Sequence, residues 1–360
     1  MVPGSPAPID SSPSTDPKEQ TPPFTVQDIE IAQVLAGALG TKCQDLSYFG
    51  DHHFFDFVLE TMGETLLGTL TKLQFEEVPP STCLETIRRS PSLCFLTVEG
   101  LVSEGDKGDD GQLVIPQPLT DEKKMIVGDR LEDLRLNKIQ KNDYSNPHAV
   151  EQVLSKLQLP QLRSALLNLE SEFEVQPIVT FFVRSSPPLT DLTLMFDCND
   201  DPDAIELFHE VANHLPCLTT LSLEFNVSGS FHDEVETVIQ FLSDSGRPRS
   251  DEPSYSPPFP LLQSLTYVVD YERDTWGGWK FIPTLFPVAL ANGSPPSLRP
   301  LRKFSTDGTL QPSKRILKKL MAAHRAGIDF CVLNVKLKNP VANNHYHGTR
   351  TGSGFREMLP

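Results

Sequence analysis

The sequence predicts an α/β leucine-rich-repeat solenoid, with a curved parallel sheet on its concave side and helices on its convex side. The main observation is a short apolar pattern, Leu-x-x-Leu-x-apolar, that recurs along the 360 residues. Such a unit cannot bury its own apolar face, so successive copies must stack on one another. The clearest copies are Leu70-Leu73-Phe75, Leu93-Leu96-Val98, Leu131-Leu134-Leu136, Leu189-Leu192-Leu194, Leu218-Leu221-Leu223 and Leu262-Leu265-Tyr267.

Segments of helical period separate these strand patterns. Ala204, Leu207, Phe208 and Val211, for example, follow the i, i+3, i+4, i+7 spacing of an amphipathic helix. In the centre of the chain the strand patterns begin 27 to 31 residues apart, which is typical of a strand-plus-helix leucine-rich repeat. We place the first apolar residue of each strand pattern at Leu70, Leu93, Leu131, Leu162, Leu189, Leu218, Leu262, Leu298 and Ile328.

Two alternatives accompany this prediction. The copy that begins at Leu162 is irregular, because either Ala165 occupies a leucine position or a one-residue bulge shifts the strand. The whole chain could also be a doubly wound α/β domain. Such a domain has nearly continuous apolar strands and a glycine-rich first turn, whereas these strands alternate and carry no phosphate-binding glycine motif.

The pattern divides the chain into five parts. We expect a disordered tail at 1–23, where proline and polar residues prevail, and a helical N-terminal cap at 24–61. The solenoid is predicted at 62–337, with insertions near 102–125 and 243–258 where the spacing widens and the residues are polar. A flexible tail is expected at 338–360.

Composition limits the classes of partner. The net charge of −17 argues against nucleic acids and anionic membranes as general partners. No apolar run reaches the roughly 20 residues of a membrane span, and the first residues lack the apolar core of a signal peptide. The six cysteines form no Cys-x-x-Cys pair, which is typical of reduced thiols. We therefore expect a cytoplasmic or nuclear protein.

Three segments carry a resemblance to a known family. They are FFVRSSPPLTDLTL at 181–194, LFHEVANHLPCLTTLSL at 207–223 and LETIRRSPSLCFLTV at 84–98. Each joins the end of a helix, a proline and a strand pattern. Together they resemble the leucine-rich-repeat region of F-box-like proteins from mushroom-forming fungi, over about residues 62–335.

The resemblance implies a function and names partners. In that family the repeats hold the substrate of a ubiquitin ligase, and an N-terminal F-box docks on a Skp-type adaptor and its cullin. The F-box pattern Leu-Pro-x-Glu-Leu/Ile is not found in residues 1–70. The alternative is therefore a stand-alone leucine-rich-repeat scaffold with no link to ubiquitin.

Side chains alternate across a strand, so the residues between the buried leucines face the concave surface. Counting the first leucine of each copy as position 1, these are positions 3, 5 and 7. They hold five carboxylates and two cations in the clear copies, which favours a basic or mixed partner. Ordinary solvated strand positions are the alternative reading. The candidate partner-binding residues are Glu76, Phe95, Glu99, Asp133, Arg135, Asp191, Met195 and Glu224.

A basic cluster lies near the C-terminus. It is typical of the polar face of a last capping helix, while an acidic partner, nucleic acid or self-association with the acidic stripe are alternatives. The cluster comprises Arg299, Arg302, Lys303, Lys314, Arg315, Lys318, Lys319 and Arg325.

The sequence predicts neither catalysis nor a cofactor. It contains no His-Glu-x-x-His zinc motif, no Gly-x-Ser-x-Gly elbow and no phosphate loop. The competing hypothesis of a hydrolase-like enzyme predicts a deep pocket that is lined by titratable side chains with shifted pKa values.

Overall fold

A computed structural model of the protein describes residues 44–48, 67–102, 125–137, 148–169, 173–198, 203–227, 232–248, 255–270, 277–287, 297–307 and 312–333. Within these ranges the chain is an α/β structure built on one large parallel sheet. The predicted tails at 1–23 and 338–360 lie outside the described residues. So does most of the insertion predicted near 102–125.

The sheet has ten strands, and their order in space follows their order in the chain. Two further short strands, Ile126–Val127 and Leu157–Gln158, form a separate parallel pair. Because the order never reverses, the sheet lacks the switch point of a doubly wound fold. The strands are β1 (Asp45–Tyr48), β2 (Lys72–Phe75), β3 (Phe95–Val98), β4 (Ile126–Val127), β5 (Asp133–Leu136), β6 (Leu157–Gln158), β7 (Ser164–Leu169), β8 (Asp191–Cys198), β9 (Thr220–Val227), β10 (Ser264–Asp270), β11 (Lys303–Asp307) and β12 (Asp329–Leu333).

Helices connect the strands and pack on their neighbours. The first five α-helices contact one another in chain order, and the sixth contacts the second of two short 3₁₀ turns, Gly277–Lys280 and Ile282–Leu285. Each α-helix presents an apolar face to the sheet. The helices are α1 (Pro80–Arg89), α2 (Ala149–Lys156), α3 (Val175–Ser185), α4 (Asp203–Val211), α5 (His232–Ser245) and α6 (Lys314–Arg325).

One backbone arrangement recurs where each strand begins. The carbonyl oxygen of the residue at position 2 accepts hydrogen bonds from the amides at positions 2 and 3 of the next strand. The Thr190 carbonyl, for example, accepts from the amides of Thr219 and Thr220, both at 2.9 Å. The same pair of bonds occurs at eight successive junctions, from β1 to β11. This ladder sets the register of the sheet, so equivalent positions lie side by side.

The apolar residues at positions 1, 4 and 6 fill the core. At position 4 of β7, Ala165 pairs with Leu134 and Leu192 in unbroken register, so the alanine replaces a leucine and no bulge is present. All position-4 residues from β2 onward are almost fully buried. They are Leu73, Leu96, Leu134, Ala165, Leu192, Leu221, Leu265, Phe304 and Phe330.

Two arginines satisfy the carbonyl groups that helices leave free at their C-termini. Arg184, in the last turn of α3, donates from Nη2 to the Leu154 carbonyl at 2.8 Å and from Nε to the Leu157 carbonyl at 3.0 Å. Both carbonyls belong to the end of α2. Burial lowers the pKa of the Arg184 guanidinium. The side chain therefore joins two consecutive helices at the negative end of one of them.

Arg299 does the same for α5 and is more deeply buried, with 2% of its surface exposed. It donates to the Leu242 carbonyl, to Ser245 Oγ at 2.7 Å and to the Pro258 carbonyl at 2.8 Å. Burial lowers its pKa to about 10. With no carboxylate among these acceptors, the α5 terminus and the 255–258 segment stabilise the cation together.

Gly246 makes room for this guanidinium. A Cβ atom at residue 246 would lie 2.6 Å from Arg299 Nη1 and 2.8 Å from Ser297 Oγ. No such contact exists at Gly68, where a Cβ would meet no atom within 4 Å. A side chain at residue 246 must therefore displace the arginine from its acceptors.

The structure changes three predicted boundaries. Helix α5 extends to Ser245, and Pro257 and Phe259 are buried, so the insertion predicted at 243–258 is shorter than expected. Residues 44–48, which lie in the predicted helical cap, contain strand β1 instead. The rest of that cap lies outside the described residues.

The third change concerns strand β11. Its register with β10 makes Leu301 the first apolar residue, because Lys303 pairs with Ser264. Leu301 is buried, whereas Leu298 is 45% exposed, so the strand start predicted at Leu298 is wrong by three residues. The start predicted at Ile328 is wrong by one residue, since Asp329 pairs with Lys303.

We expect Gly246→Ala to lower the free energy of unfolding by about 2 kcal/mol, because it overpacks the site of a buried cation and breaks its hydrogen bonds. Gly68→Ala is the matched control and should leave stability unchanged or raise it, since Gly68 lies in a helical turn with open space around it. Urea unfolding of both variants measures the difference. Equal stability of the two variants would contradict the role given to Arg299.

Candidate functional site

The sheet face opposite the helices carries the side chains at positions 3, 5 and 7, and we call it the open face. On β2 to β10 these side chains are half-buried or exposed, in contrast to the buried positions 4 and 6. All eight candidate residues lie on this face. Phe95, Arg135 and Asp191 are exposed and the other five are half-buried, and binding of a partner stays a prediction.

The candidates fall into two groups. Glu76, Phe95, Glu99, Asp133 and Arg135 lie on or just after β2, β3 and β5. Asp191, Met195 and Glu224 lie on β8 and β9, where Met195 and Glu224 are cross-strand partners. Strand β7 separates the groups and contributes Ser164, Leu166 and Asn168 to the same face.

Polar contacts tie the first group together. Glu99 accepts a hydrogen bond from Gln74 Nε2 at 3.2 Å and another from Asn137 Nδ2 at 3.1 Å. It thereby connects three successive strands through one carboxylate. The side chain is half-buried, so these bonds hold it in a fixed position on the open face.

The cations of this region are engaged within the chain. Arg135 binds Asp133 through two parallel bonds, of 3.0 and 3.1 Å. The hydrogen bond to Asp133, with the nearby charges of Asp133 and Glu99, raises the pKa of Arg135. Lys72 similarly forms a salt bridge with Asp45, with 3.3 Å between Nζ and Oδ2. Three of the seven charges in the predicted stripe, those of Lys72, Asp133 and Arg135, are thus neutralised by neighbours.

Several carboxylates keep their charge available. Glu76, Glu99 and Asp191 form no salt bridge with any residue that the structure describes. Asp191 is exposed, and among the described side chains it accepts a hydrogen bond from the Thr190 hydroxyl alone, at 2.7 Å. The open face therefore has a net negative character on both sides of β7.

An apolar diagonal crosses the face between these carboxylates. Phe95, at position 3 of β3, is 45% exposed. Leu166 occupies position 5 of β7 and Met195 position 7 of β8, and both are half-buried. From the usual spacing of parallel strands, Phe95 and Leu166 are about 12 Å apart and Leu166 and Met195 about 8 Å apart.

Leu166 is missing from the residues predicted from sequence. It pairs with Arg135 on one side and Thr193 on the other, at the centre of the open face. The irregular β7 copy concealed it, because a bulge would have turned this residue towards the core. If Ala165 is taken as the position-4 residue of this copy, in place of a leucine, then Leu166 falls at position 5.

The described residues also contain a small cavity. It has a volume of about 70 Å³ and lies between the end of α1 and the 127–131 segment, where Ser90 and Gly128 line it. Small-molecule sites usually have a volume of about 300–1,000 Å³. No group of three or more potential metal ligands is found among the described residues. None of the helices described there is long and apolar enough to cross a membrane.

Comparison with known proteins adds no assignment. The chain matches none of the known protein families, and no curated protein sequence is similar to it.

We expect Glu99→Ala to lower the free energy of unfolding by about 1 kcal/mol, because two charge-assisted hydrogen bonds between strands are lost. Glu76→Ala removes a carboxylate from the same row without a recorded hydrogen bond, and should change stability by less than about 0.5 kcal/mol. Urea unfolding compares them. If both variants lose the same stability, Glu99 does not connect the strands.

Proposed function

We propose that this protein is a protein–protein recognition module, and that its fold is a leucine-rich-repeat solenoid whose open face is concave. Three features support the solenoid: sequential strand order, the recurring pair of backbone hydrogen bonds, and helices that pack on their neighbours along the chain. An array of this kind offers a long continuous surface rather than an enclosed pocket. Such a surface suits a polypeptide partner.

The apolar diagonal carries this proposal. Phe95, Leu166 and Met195, with Val268 on β10, are the apolar residues at positions 3, 5 and 7 of β2 to β10, and the other residues at these positions are polar. An exposed apolar side chain within a polar surround is the usual anchor of a protein interface. The three residues of the diagonal span about 20 Å, which an extended segment of about six residues covers. Carboxylates such as Glu99 and Asp191 flank the anchors. The target would therefore be an extended segment with apolar side chains and lysine or arginine between them.

The distribution of exposed apolar residues favours the open face over the helical side as the binding surface. The helices' apolar faces are buried against the sheet, and on α3 Val183 is exposed as a single apolar residue. A solitary exposed valine is ordinary on a protein surface. The open face, by contrast, holds apolar residues on four strands, β3, β7, β8 and β10.

The resemblance of residues 62–335 to fungal F-box-like proteins extends the proposal to a cellular role. In that role the open face holds a substrate for ubiquitin transfer, in the cytoplasm or nucleus, and the chain performs no covalent chemistry. Partnership with a Skp-type adaptor and a cullin rests on this resemblance alone. A stand-alone scaffold remains the second candidate because residues 1–70 lack the F-box pattern.

Quantitative affinity capture from a lysate of a mushroom-forming fungus tests the recognition surface. We expect Leu166→Glu to reduce the recovered target at least tenfold, because it removes the central apolar anchor and places a charge between the other two. Val183→Glu introduces the same charge on the helical side and should leave recovery unchanged. Phe95→Ala is the second test, since Phe95 is 45% exposed and its truncation leaves the core intact.

Equal recovery with wild type, Leu166→Glu and Phe95→Ala would overturn the proposed surface. The same capture decides the ligase role. Recovery of the adaptor and cullin with wild-type chain supports it. Recovery of a target without them assigns the chain to the stand-alone scaffolds.

A further inference from the structure

The last helix of the described chain carries a stripe of unpaired cations. Five of the twelve residues of α6 are lysine or arginine, and none is acidic. None of the five forms a salt bridge with a described carboxylate. This contrasts with Lys72, Arg88, Arg135 and Lys280, which bind carboxylates elsewhere in the structure. The cations of the stripe are Lys314, Arg315, Lys318, Lys319 and Arg325.

Helical geometry places these side chains on one side of α6. At 100° per residue they fall within an arc of about 140°, on the side away from the buried Leu320 and Ala323. Lys314, Arg315, Lys318 and Arg325 are exposed, and Lys319 is half-buried. The stripe runs for about 16 Å along the helix.

The arrangement is unfavourable for the helix itself. Lys314 and Lys318, and likewise Arg315 and Lys319, repel each other at the spacing i, i+4. Lys314 and Arg315 also occupy the first turn, where the positive end of the helix dipole favours acidic residues. The exposed side of a capping helix needs only polar residues. The concentration of positive charge on α6 therefore points to a ligand that neutralises it.

Arg299 and Arg302 were grouped with these residues by sequence, but they do not belong to the stripe. The Arg299 side chain is buried against the end of α5, and Arg302 lies just before β11. Lys303 pairs with Asp329 across two strands and faces away from α6. The five cations of α6 therefore form a surface of their own.

We propose that this stripe is a second docking surface, separate from the open face, and that it binds an acidic peptide segment of a partner protein. An extended chain with a carboxylate at every second residue repeats about every 7 Å, close to the spacing of Lys314 and Lys318 along one side of the helix. About five to six such residues cover the stripe. The acidic peptide supplies the opposite charge, since no described carboxylate forms a salt bridge with these five cations.

Nucleic acid fits this surface less well. Single-strand binders interleave cations with exposed aromatic rings. Among the described residues, Phe95 is the one aromatic residue in the set of large exposed apolar side chains. It lies on β3, far along the sheet from α6. The net charge of −17 also repels a long polyanion that extends past the stripe.

Fluorescence anisotropy of the full chain with a labelled twelve-residue peptide of alternating glutamate and serine tests the proposal. The variant combines Lys314→Gln, Arg315→Gln, Lys318→Gln and Lys319→Gln, and we expect at least tenfold weaker binding. The matched control removes four cations elsewhere by Arg88→Gln, Arg130→Gln, Arg163→Gln and Arg247→Gln, and should bind as wild type does. A peptide with glutamine in place of glutamate should not bind.

Thermal unfolding accompanies the binding assay. Because the α6 substitutions relieve repulsion, the variant should melt no lower than wild type. The paired variants Lys314→Gln with Lys318→Gln, and Arg315→Gln with Lys319→Gln, should each weaken binding severalfold. Raising the salt concentration should weaken wild-type binding as well.

Four results would overturn the proposal. The quadruple variant could bind the peptide as tightly as wild type, or the control could lose as much affinity. A DNA duplex or an anionic lipid vesicle could bind the stripe more tightly than the peptide. Sedimentation could also show that the chain self-associates through α6, with the association lost in the quadruple variant. Because the peptide assay does not involve the open face, its failure leaves the proposed recognition surface unaffected.

Discussion

The pairing of one carbonyl with two amides at the start of each strand determines the rest of the structure. Through it the position-2 residue of one strand fixes the register of the next, as Thr190 does for Thr219 and Thr220. Because side chains alternate along a strand, a fixed register places every position-4 leucine in the core and every position-5 residue on the open face. A single-residue slip would exchange the two sets.

The helices complete this arrangement from the other side. The first five pack on one another in chain order, and two arginines join consecutive segments. Arg184 reaches from α3 to the last carbonyls of α2, and Arg299 reaches from the β11 approach to the end of α5. These contacts link consecutive segments through groups that would otherwise be unsatisfied. The result is a sheet with the described helices on one face and half-buried or exposed side chains on the other.

Local periodicity made the alternation of buried and open-face residues predictable. The predictions that were wrong concern features that depend on long-range contacts. The alternation of Leu192 and Leu194 with Asp191 and Thr193 is visible in the sequence, so the exposure of the candidate residues could be predicted. At β11 the sequence allows two overlapping patterns, since Leu298, Leu301 and Phe304 are spaced equally. Only pairing with β10 selects Leu301. In the N-terminal part, β1 was concealed by the helical pattern before it, although Leu46 and Tyr48 lie in register with Leu73 and Phe75.

The sequence patterns also could not predict which charged side chains are buried. Arginine is usually exposed, so Arg299 was grouped with a surface cluster. Its burial depends on three acceptors that lie 41 to 57 residues away in sequence. The same holds for Glu99, whose two amide partners come from neighbouring strands. The sequence could place these side chains on a strand or near a helix, but not show which groups they bind.

The most direct test of the central claim places a photoreactive phenylalanine analogue at one of two sites. One is Phe95 on the open face, and the other is Val183 on the helical side, where 45% and 46% of the residue are exposed. Irradiation of each chain with its captured target, followed by mass spectrometry of the adduct, locates the contact. Recognition by the open face predicts cross-links from residue 95 and none from residue 183. Cross-links from residue 183 with none from residue 95 would contradict it.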